Sequence, residues 1–124
     1  MLAGAAAPAC ALAPGDHDFY IRFGPAERHY ILHVPPEVGA KAAVVLNLHG
    51  GGGNARAHQA YVRMDALADR EHFLVVYPDG SGRIPGRLLT WNAGTCCGMA
   101  GASAATMVST TIGTIMLQVD IGAG

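Results

Sequence analysis

The chain has little charge, few aromatic side chains and no long hydrophobic run. Charged residues make up 14% of its 124 residues and the formal net charge is −1, whereas an average soluble protein has about 25% charged residues. This balance excludes the basic surfaces that attract nucleic acid or an anionic membrane. The length allows one small domain. After Arg87 the only charged residue is Asp120, so a solvated surface is hard to build from the last stretch.

No apolar stretch reaches the roughly 18 to 20 residues that span a bilayer, so no membrane span is predicted. Residues 1–14 are rich in alanine and proline and carry no charge. They look like the cleavage end of a secretory signal without its basic N-terminal region. A disordered Ala/Pro tail is an equally good interpretation.

Cysteine is scarce, and its spacing excludes the common cysteine sites. Cys10, Cys96 and Cys97 form no C-x-x-C pair, and no His/Cys spacing suits zinc. Adjacent cysteines pair with each other only through a strained ring, so a Cys96–Cys97 structural disulfide is not expected. We predict no metal and no cofactor.

The first half of the chain predicts a β-hairpin. Residues 19–23 and 29–34 are rich in β-formers and are separated by a Gly-Pro turn signal. His29 and His33 share one face of the second strand with Ile31. An exposed strand face is the favoured interpretation of both histidines, ahead of a ligand role.

The next segment predicts a βαβ unit with two parallel strands. Residues 42–48 and 73–77 are short apolar runs typical of buried strands. Between them, Asn54 is placed as an N-cap for a helix from Ala55 to about Glu71. We expect that helix to pack on the sheet with an apolar face made of Ala57, Ala60, Tyr61, Met64, Leu67 and Ala68.

The most informative motif is a glycine loop, His49–Asn54, directly after the predicted strand 42–48. It contains four consecutive glycines, which let backbone N–H groups crowd around a bound oxygen. It is not a phosphate-binding P-loop, because no Gly-Lys-Ser/Thr follows. It is also not a dinucleotide-binding loop, because the G-x-G-x-x-G pattern that opens a helix, with a ribose-binding acid about 20 residues further on, is not satisfied. A loop of this kind at the end of a strand predicts an oxyanion hole.

The chain lacks the nucleophile that an oxyanion hole serves. No G-x-S-x-G turn is present; Ser81 lies between glycines but not on a strand-to-helix elbow, and Ser103 lacks the final glycine. All six histidines precede the end of the predicted βαβ unit, whereas the general base of an α/β-hydrolase comes last. Trp91 and Asn92 line a pocket in one interpretation, and a core Trp91 is the plainer one.

Five segments in the same order and at similar spacing resemble secreted polyhydroxybutyrate depolymerases and feruloyl-esterase-like serine esterases. They are residues 28–35 (RHYILHVP), 46–54 (LNLHGGGGN), 65–71 (DALADRE), 73–80 (FLVVYPDG) and 91–98 (WNAGTCCG). The resemblance covers residues 16–101. It implies an α/β-hydrolase fold, secretion, and ester hydrolysis by a Ser-His-Asp triad whose members would all lie downstream of Gly124.

The resemblance also implies site residues. The oxyanion N–H donors map to Gly51 and Gly52. Apart from the resemblance, His49, Trp91 and Asn92 are candidates for lining the substrate pocket. The family continues after Cys-Cys-Gly with an acidic, helix-forming stretch, where this chain has Ser/Thr-rich residues 109–113. That departure looks like a frameshift or a broken gene.

The sequence therefore predicts an α/β protein: a truncated α/β-hydrolase, with an N-terminal β-hairpin followed by a βαβ unit of a mainly parallel sheet. Residues 1–14 are the tail, 15–98 the N-terminal part of the hydrolase domain, and 99–124 a divergent uncharged tail. The expected function is an extracellular carboxylic-ester hydrolase fragment that has an oxyanion loop, takes an ester as its substrate and is inactive alone. The alternative is a non-catalytic secreted binding module. Self-association through an exposed sheet edge is expected.

Overall fold

The structure is a computed structural model that describes residues 12–23 and 25–91. Predictions about Cys10, Ser103, residues 92–98 (which include Asn92, Cys96 and Cys97) and the tail 99–124 lie outside the described residues. Four strands and two helices follow one another in the order β1 (Gly15–Phe23), β2 (Ala26–Val34), β3 (Val44–Leu46), α1 (Ala55–Val62), α2 (Met64–Glu71) and β4 (Leu74–Pro78).

The predicted hairpin is present and is longer than the sequence pattern indicated. β1 and β2 pair antiparallel over their whole length, from Gly15 opposite Val34 to Phe23 opposite Ala26. β1 begins before the apolar run because Asp16 and Asp18 have polar partners on the covered face of the sheet. Acidic residues therefore belong to this strand although β-propensity disfavours them.

The predicted βαβ unit is also confirmed. The sheet order is β1-β2-β4-β3, and β3 pairs with β4 in parallel. The hairpin joins the sheet through an antiparallel pairing of β2 with β4, so the described sheet is mixed. β3 is limited to Val44–Leu46, shorter than the apolar run 42–48 from which it was predicted.

The helix predicted as one element is broken at Arg63. This residue adopts left-handed backbone angles (φ 52°, ψ 32°), which end α1 and precede the first residue of α2. The predicted apolar face is wrong for four of its six residues: Ala57 and Ala60 are exposed, Tyr61 is 84% exposed and Leu67 is 39% exposed. The break turns α2 so that Asp65 and Ala68 face the sheet, where Asp65 meets the hydroxyl group of Tyr77.

Each face of the sheet has its own apolar cluster. One contains Tyr30, Leu32, Val34, Leu74 and Val76. The other contains Ile31, Val75 and Tyr77 packed against Ala55 of α1 and Ala68 of α2. β4 is buried at all five positions because it contributes to both clusters, as expected for a central strand in an α/β protein. Neither described helix is long and apolar enough to cross a membrane.

Candidate functional site

The glycine loop connects the end of β3 to the start of α1. Gly51 is exposed, a Cβ there would meet no atom within 4 Å, and its N–H has no hydrogen-bond partner among the described residues. Gly52 has a positive φ of 83°, which favours glycine. Its N–H donates to the Leu89 carbonyl at 2.8 Å. Gly51 therefore presents a donor that a ligand can reach, whereas Gly52 would first have to release Leu89.

His49 holds the loop from inside the protein. The residue is 3% exposed, and its Nε2 accepts the N–H of Gly80 at 3.0 Å. Nδ1 must then carry the proton, which it donates to the Gly50 carbonyl at 2.7 Å. Trp91 donates its Nε1–H to the His49 carbonyl at 2.8 Å, and the two rings lie 4.8 Å apart. These contacts explain His49 and Trp91 as structural supports of the loop; a pocket-lining role stays a prediction.

The start of α1 is held by two side chains. Asn54 is the N-cap, as predicted, and its Oδ1 accepts the N–H of Ala57 at 2.8 Å. Asp79, which follows β4, accepts the N–H of Ala55 at 2.6 Å. Both groups satisfy donors that a helix start leaves open. The position at which the glycine loop ends is therefore tied to the end of β4.

His29 joins two carboxylates on the helix-covered side of the sheet. Its Nδ1 lies 2.7 Å from Asp79 Oδ2, and its Nε2 lies 2.7 Å from Asp18 Oδ1. Arg56 Nη2 donates to both oxygens of Asp18 at 2.9 Å. The hydrogen bond with His29 lowers the pKa of Asp18, and Arg56 adds to that effect. These contacts run from Asp79 through His29 and Asp18 to Arg56, and they therefore connect the end of β4 with β2, β1 and α1.

His33 is the centre of a second polar cluster, and the expectation of an exposed strand face is wrong for it, since it is 8% exposed. Its Nδ1 lies 2.7 Å from Asp16 and its Nε2 lies 2.8 Å from Asp69. Burial lowers the pKa of His33, but the hydrogen bonds to Asp16 and Asp69 and the charges of Asp65 and Asp69 outweigh burial and raise it.

Asp65 lies next to this imidazole, and both of its carboxylate oxygens accept hydrogen bonds. Tyr77 donates its hydroxyl to Asp65 Oδ1 at 2.6 Å, and Gln59 donates to Asp65 Oδ2 at 2.8 Å. Gln59 also donates to Asp16 at 2.9 Å. Burial, followed by the contact with Asp65, raises the pKa of Tyr77. The cluster connects β1, β2, α1, α2 and β4 through hydrogen bonds.

Asp16, His33 and Asp65 place one ligand atom each within 4.8 Å of one another, the spacing that a metal ion needs. In this structure the ring nitrogens and carboxylate oxygens of all three already have hydrogen-bond partners. The arrangement is satisfied by protons alone, so its geometry is that of a structural polar cluster.

A cleft of about 860 Å³ opens beside the glycine loop, between the hairpin end, the start of α1 and the segment after β4. This volume is in the range typical of ligand sites. Three arginines line it, Arg28, Arg56 and Arg83, together with the acids Glu27 and Asp79. His49, Gly51 and Trp91 are not among its lining residues.

Ser81, His29 and Asp79 all line this cleft, which raises the question of a local triad. Ser81 Oγ accepts from Arg28 Nη1 at 2.6 Å. Both ring nitrogens of His29 are occupied by carboxylates, so no nitrogen is left to remove a proton from Ser81. A triad needs the base in contact with the nucleophile. In the described part of the chain these three residues do not form one.

Sequence reasoning found the glycine loop but missed the histidine–carboxylate clusters and the arginines of the cleft. A signal for the clusters exists. Asp16 and Asp18 alternate on one strand, and His29 and His33 on the next, so the hairpin register brings both pairs to one face. The arginines come from three separate segments and share no pattern.

A mixed sheet with two helices on one face and a glycine loop after a parallel strand defines a partial hydrolase-like α/β fold. The same fold is found in poly(aspartic acid) hydrolase-1 from Sphingomonas sp. KT-1, with a TM-score of 0.54 and 21% sequence identity. The match covers 81% of this chain and 41% of that protein. The chain therefore spans less than half the length of this structural neighbour.

The family itself follows from the sequence profile. The profile described as Esterase PHB depolymerase matches residues 28–122, which is most of the chain. This protein belongs to the Esterase PHB depolymerase family, as the motif resemblance predicted. No curated protein matches the chain.

Proposed function

We propose that the chain is the N-terminal part of an extracellular serine carboxylic-ester hydrolase and that it contributes the oxyanion loop. The observation that carries this proposal is the Gly51 N–H, which is exposed and free of partners among the described residues. It lies at the edge of the sheet where parallel strands end, which is where ligands of open α/β sheets bind. His49 and Asp79 anchor the two ends of the loop, as preorganised donors require.

The nucleophile, acid and base are supplied by sequence beyond Gly124 in this proposal. The described residues form no triad, and the sequence has no G-x-S-x-G turn. The chain alone should therefore hydrolyse no ester, because an oxyanion donor without a nucleophile retains little catalysis. Ester substrates follow from the family; a polyester, an aromatic ester and a short acyl ester all remain compatible with it.

The test starts from the gene. The DNA around and beyond codon 104 should encode a G-x-S-x-G elbow in a neighbouring frame, and the chain joined to that frame should hydrolyse p-nitrophenyl butyrate. Gly51→Pro, which removes the N–H, should lower kcat by about 10²–10³-fold, the usual effect of losing one oxyanion donor. Gly39→Pro, at another exposed glycine with open space around it, is the control and should retain activity.

Two results would overturn the proposal. One is ester hydrolysis by the unextended chain, with a serine-directed phosphonate labelling it. The other is equal activity of the Gly51→Pro and Gly39→Pro enzymes. If the DNA has a stop codon and no neighbouring reading frame encodes a G-x-S-x-G elbow, the second candidate is favoured, which is a non-catalytic secreted binding module. The arginine-lined cleft supports that candidate, since it needs no nucleophile.

A further inference from the structure

We propose that residues 81–90 form a strap that closes on the glycine loop and withholds the Gly52 N–H until the substrate oxyanion displaces it. This inference rests on the proposed function, because it assumes that the loop donates to an oxyanion, and it names how that site is regulated. Gly52 donates to the Leu89 carbonyl at 2.8 Å, a distance at which oxyanion-hole donors hold their oxygen. The Leu89 oxygen thus takes the place of a ligand oxygen on Gly52.

The strap is held together by its own contacts. Ser81 and Thr90, at its two ends, exchange both of their backbone hydrogen bonds at 2.8 Å. Gly82 faces Leu89 so closely that a Cβ added there would lie 2.9 Å from Leu89 Cδ2. These contacts lie within residues 81–90 and do not involve the glycine loop. The strap can therefore leave the loop as a unit.

Leu89 is the residue through which the backbone of the strap holds the glycine loop. Its carbonyl accepts the Gly52 N–H, and its own N–H donates to the Gly53 carbonyl at 3.1 Å. The Asn54 side chain adds a hydrogen bond to the Gly86 carbonyl at 3.1 Å. Gly52 itself is exposed, so a ligand can approach the bond that has to break.

Leu88, the residue before this contact, has a strained backbone. Its φ of 52° lies in the left-handed region, which a bulky side chain rarely adopts. The side chain is 69% exposed, so packing does little to impose this conformation. Strained residues of this kind persist where the surrounding structure holds them, and they occur in segments that switch. Release of the strap would let Leu88 return to an ordinary φ.

The balance between the closed and the open strap depends on the charge of the competing oxygen. The strain at Leu88 is of the same order as the net contribution of one backbone hydrogen bond, so it offsets part of what holds the strap closed. An oxyanion forms a hydrogen bond about twice as strong as that of a neutral carbonyl. Negative charge on the substrate oxygen therefore competes for Gly52 better than Leu89 does.

The experiment measures amide hydrogen exchange by NMR in the full chain with no ester present. Leu88→Asn introduces a residue that tolerates the left-handed region and should slow exchange of the Gly52 N–H about fivefold. Leu88→Val introduces a β-branched residue that disfavours this region and should speed it about fivefold. The Leu89 N–H should follow Gly52. The Gly53 N–H, which donates to the Gly50 carbonyl inside the loop, should keep its rate.

The matched control is Arg63→Asn. Arg63 is exposed and has the same φ of 52°, but it ends α1 and is not part of the strap. Its replacement relieves similar strain elsewhere and should leave exchange at Gly52 unchanged. If Arg63→Asn slowed exchange at Gly52 as much as Leu88→Asn did, exchange would proceed through global unfolding and the proposal would be overturned. Unchanged rates in both Leu88 variants, or equal changes at Gly52 and Gly53, would also overturn it.

Activity separates this inference from the proposed function. In the chain joined to the neighbouring frame, Leu88→Asn holds the strap closed and should lower kcat for p-nitrophenyl butyrate by up to about fivefold. Loss of activity in Gly51→Pro with full activity in Leu88→Asn would overturn the strap and leave the proposed function standing. An inactive joined chain would overturn the proposed function and this regulation with it, whereas the exchange rates would still show whether the strap opens.

Discussion

Replacing Asp79 by alanine should destabilise the fold and loosen the glycine loop at once. The side chain is 13% exposed and makes two short contacts, one with the N–H of Ala55 at 2.6 Å and one with His29 at 2.7 Å. Removing it leaves a helix-start donor unsatisfied and takes an anion away from the N-terminus of α1. It also leaves His29 with Asp18 alone.

The size of the effect follows from these contacts. Hydrogen bonds to a charged group contribute about 1.5–3 kcal/mol each, and an anion at a helix N-terminus contributes about 0.3–1 kcal/mol. Contacts in one network do not add fully, so we expect Asp79→Ala to lower the free energy of unfolding by about 2–4 kcal/mol. Asp79→Asn keeps an acceptor for Ala55 and should cost about half as much.

The assay is urea unfolding followed by far-UV circular dichroism, with the amide NMR signals of Gly51 and Gly52 as a second measurement. Glu71→Ala is the control, because the Glu71 side chain is 57% exposed and, within the described part of the chain, its ion pair is with the neighbouring Arg70, a type of contact that contributes little. If Asp79→Ala changed stability no more than Glu71→Ala and left both glycine signals in place, Asp79 would not anchor the loop.

Further predictions concern pH, one hydroxyl group and association. The pKa of His33 is raised above 6.5, so the stability it contributes is complete below pH 6.5 and is lost as pH rises through the folded-state value; urea unfolding across that range should show this slope, and His33→Gln should remove it. Tyr77→Phe removes the donor to Asp65 and should cost about 1.5–3 kcal/mol by the same unfolding assay; a loss below about 0.5 kcal/mol would contradict the stated role of the hydroxyl. The isolated chain should aggregate through its sheet edges, which size-exclusion chromatography measures; a monomer with a sharp thermal transition would argue for the binding-module alternative.

The pairing of strands could be predicted from the sequence, because turn residues and apolar runs determine it locally. The Gly-Pro signal separates β1 from β2, and the apolar runs that flank the predicted helix pair as parallel strands. The helix break could not be predicted in this way. Arg63 is not a helix-breaking residue type, and its left-handed geometry lies between Val62 and Met64, which both pack against the same apolar cluster. That packing is visible only in three dimensions.

The face of the helices was mispredicted for a related physical reason. Apolar periodicity assumes that the surface beneath a helix is apolar. Here that surface presents the imidazole of His33 and the hydroxyl of Tyr77, which require acceptors when buried. Asp65 and Asp69 satisfy them, and Tyr61 and Leu67 are left exposed. A sequence method that weighs only hydrophobicity places these two acids on the wrong side.

The two histidine clusters explain where this weakly charged chain places its acidic residues. Five of its nine acidic residues surround two imidazoles on one side of the sheet: Asp16, Asp18, Asp65, Asp69 and Asp79. Isolated carboxylates at half-buried positions would be costly to desolvate. Placed around His29, His33 and Arg56, they connect the hairpin to the helices and leave the glycine loop anchored at both ends. The Gly51 N–H is exposed beside this framework, as the role of oxyanion donor that we propose for it requires.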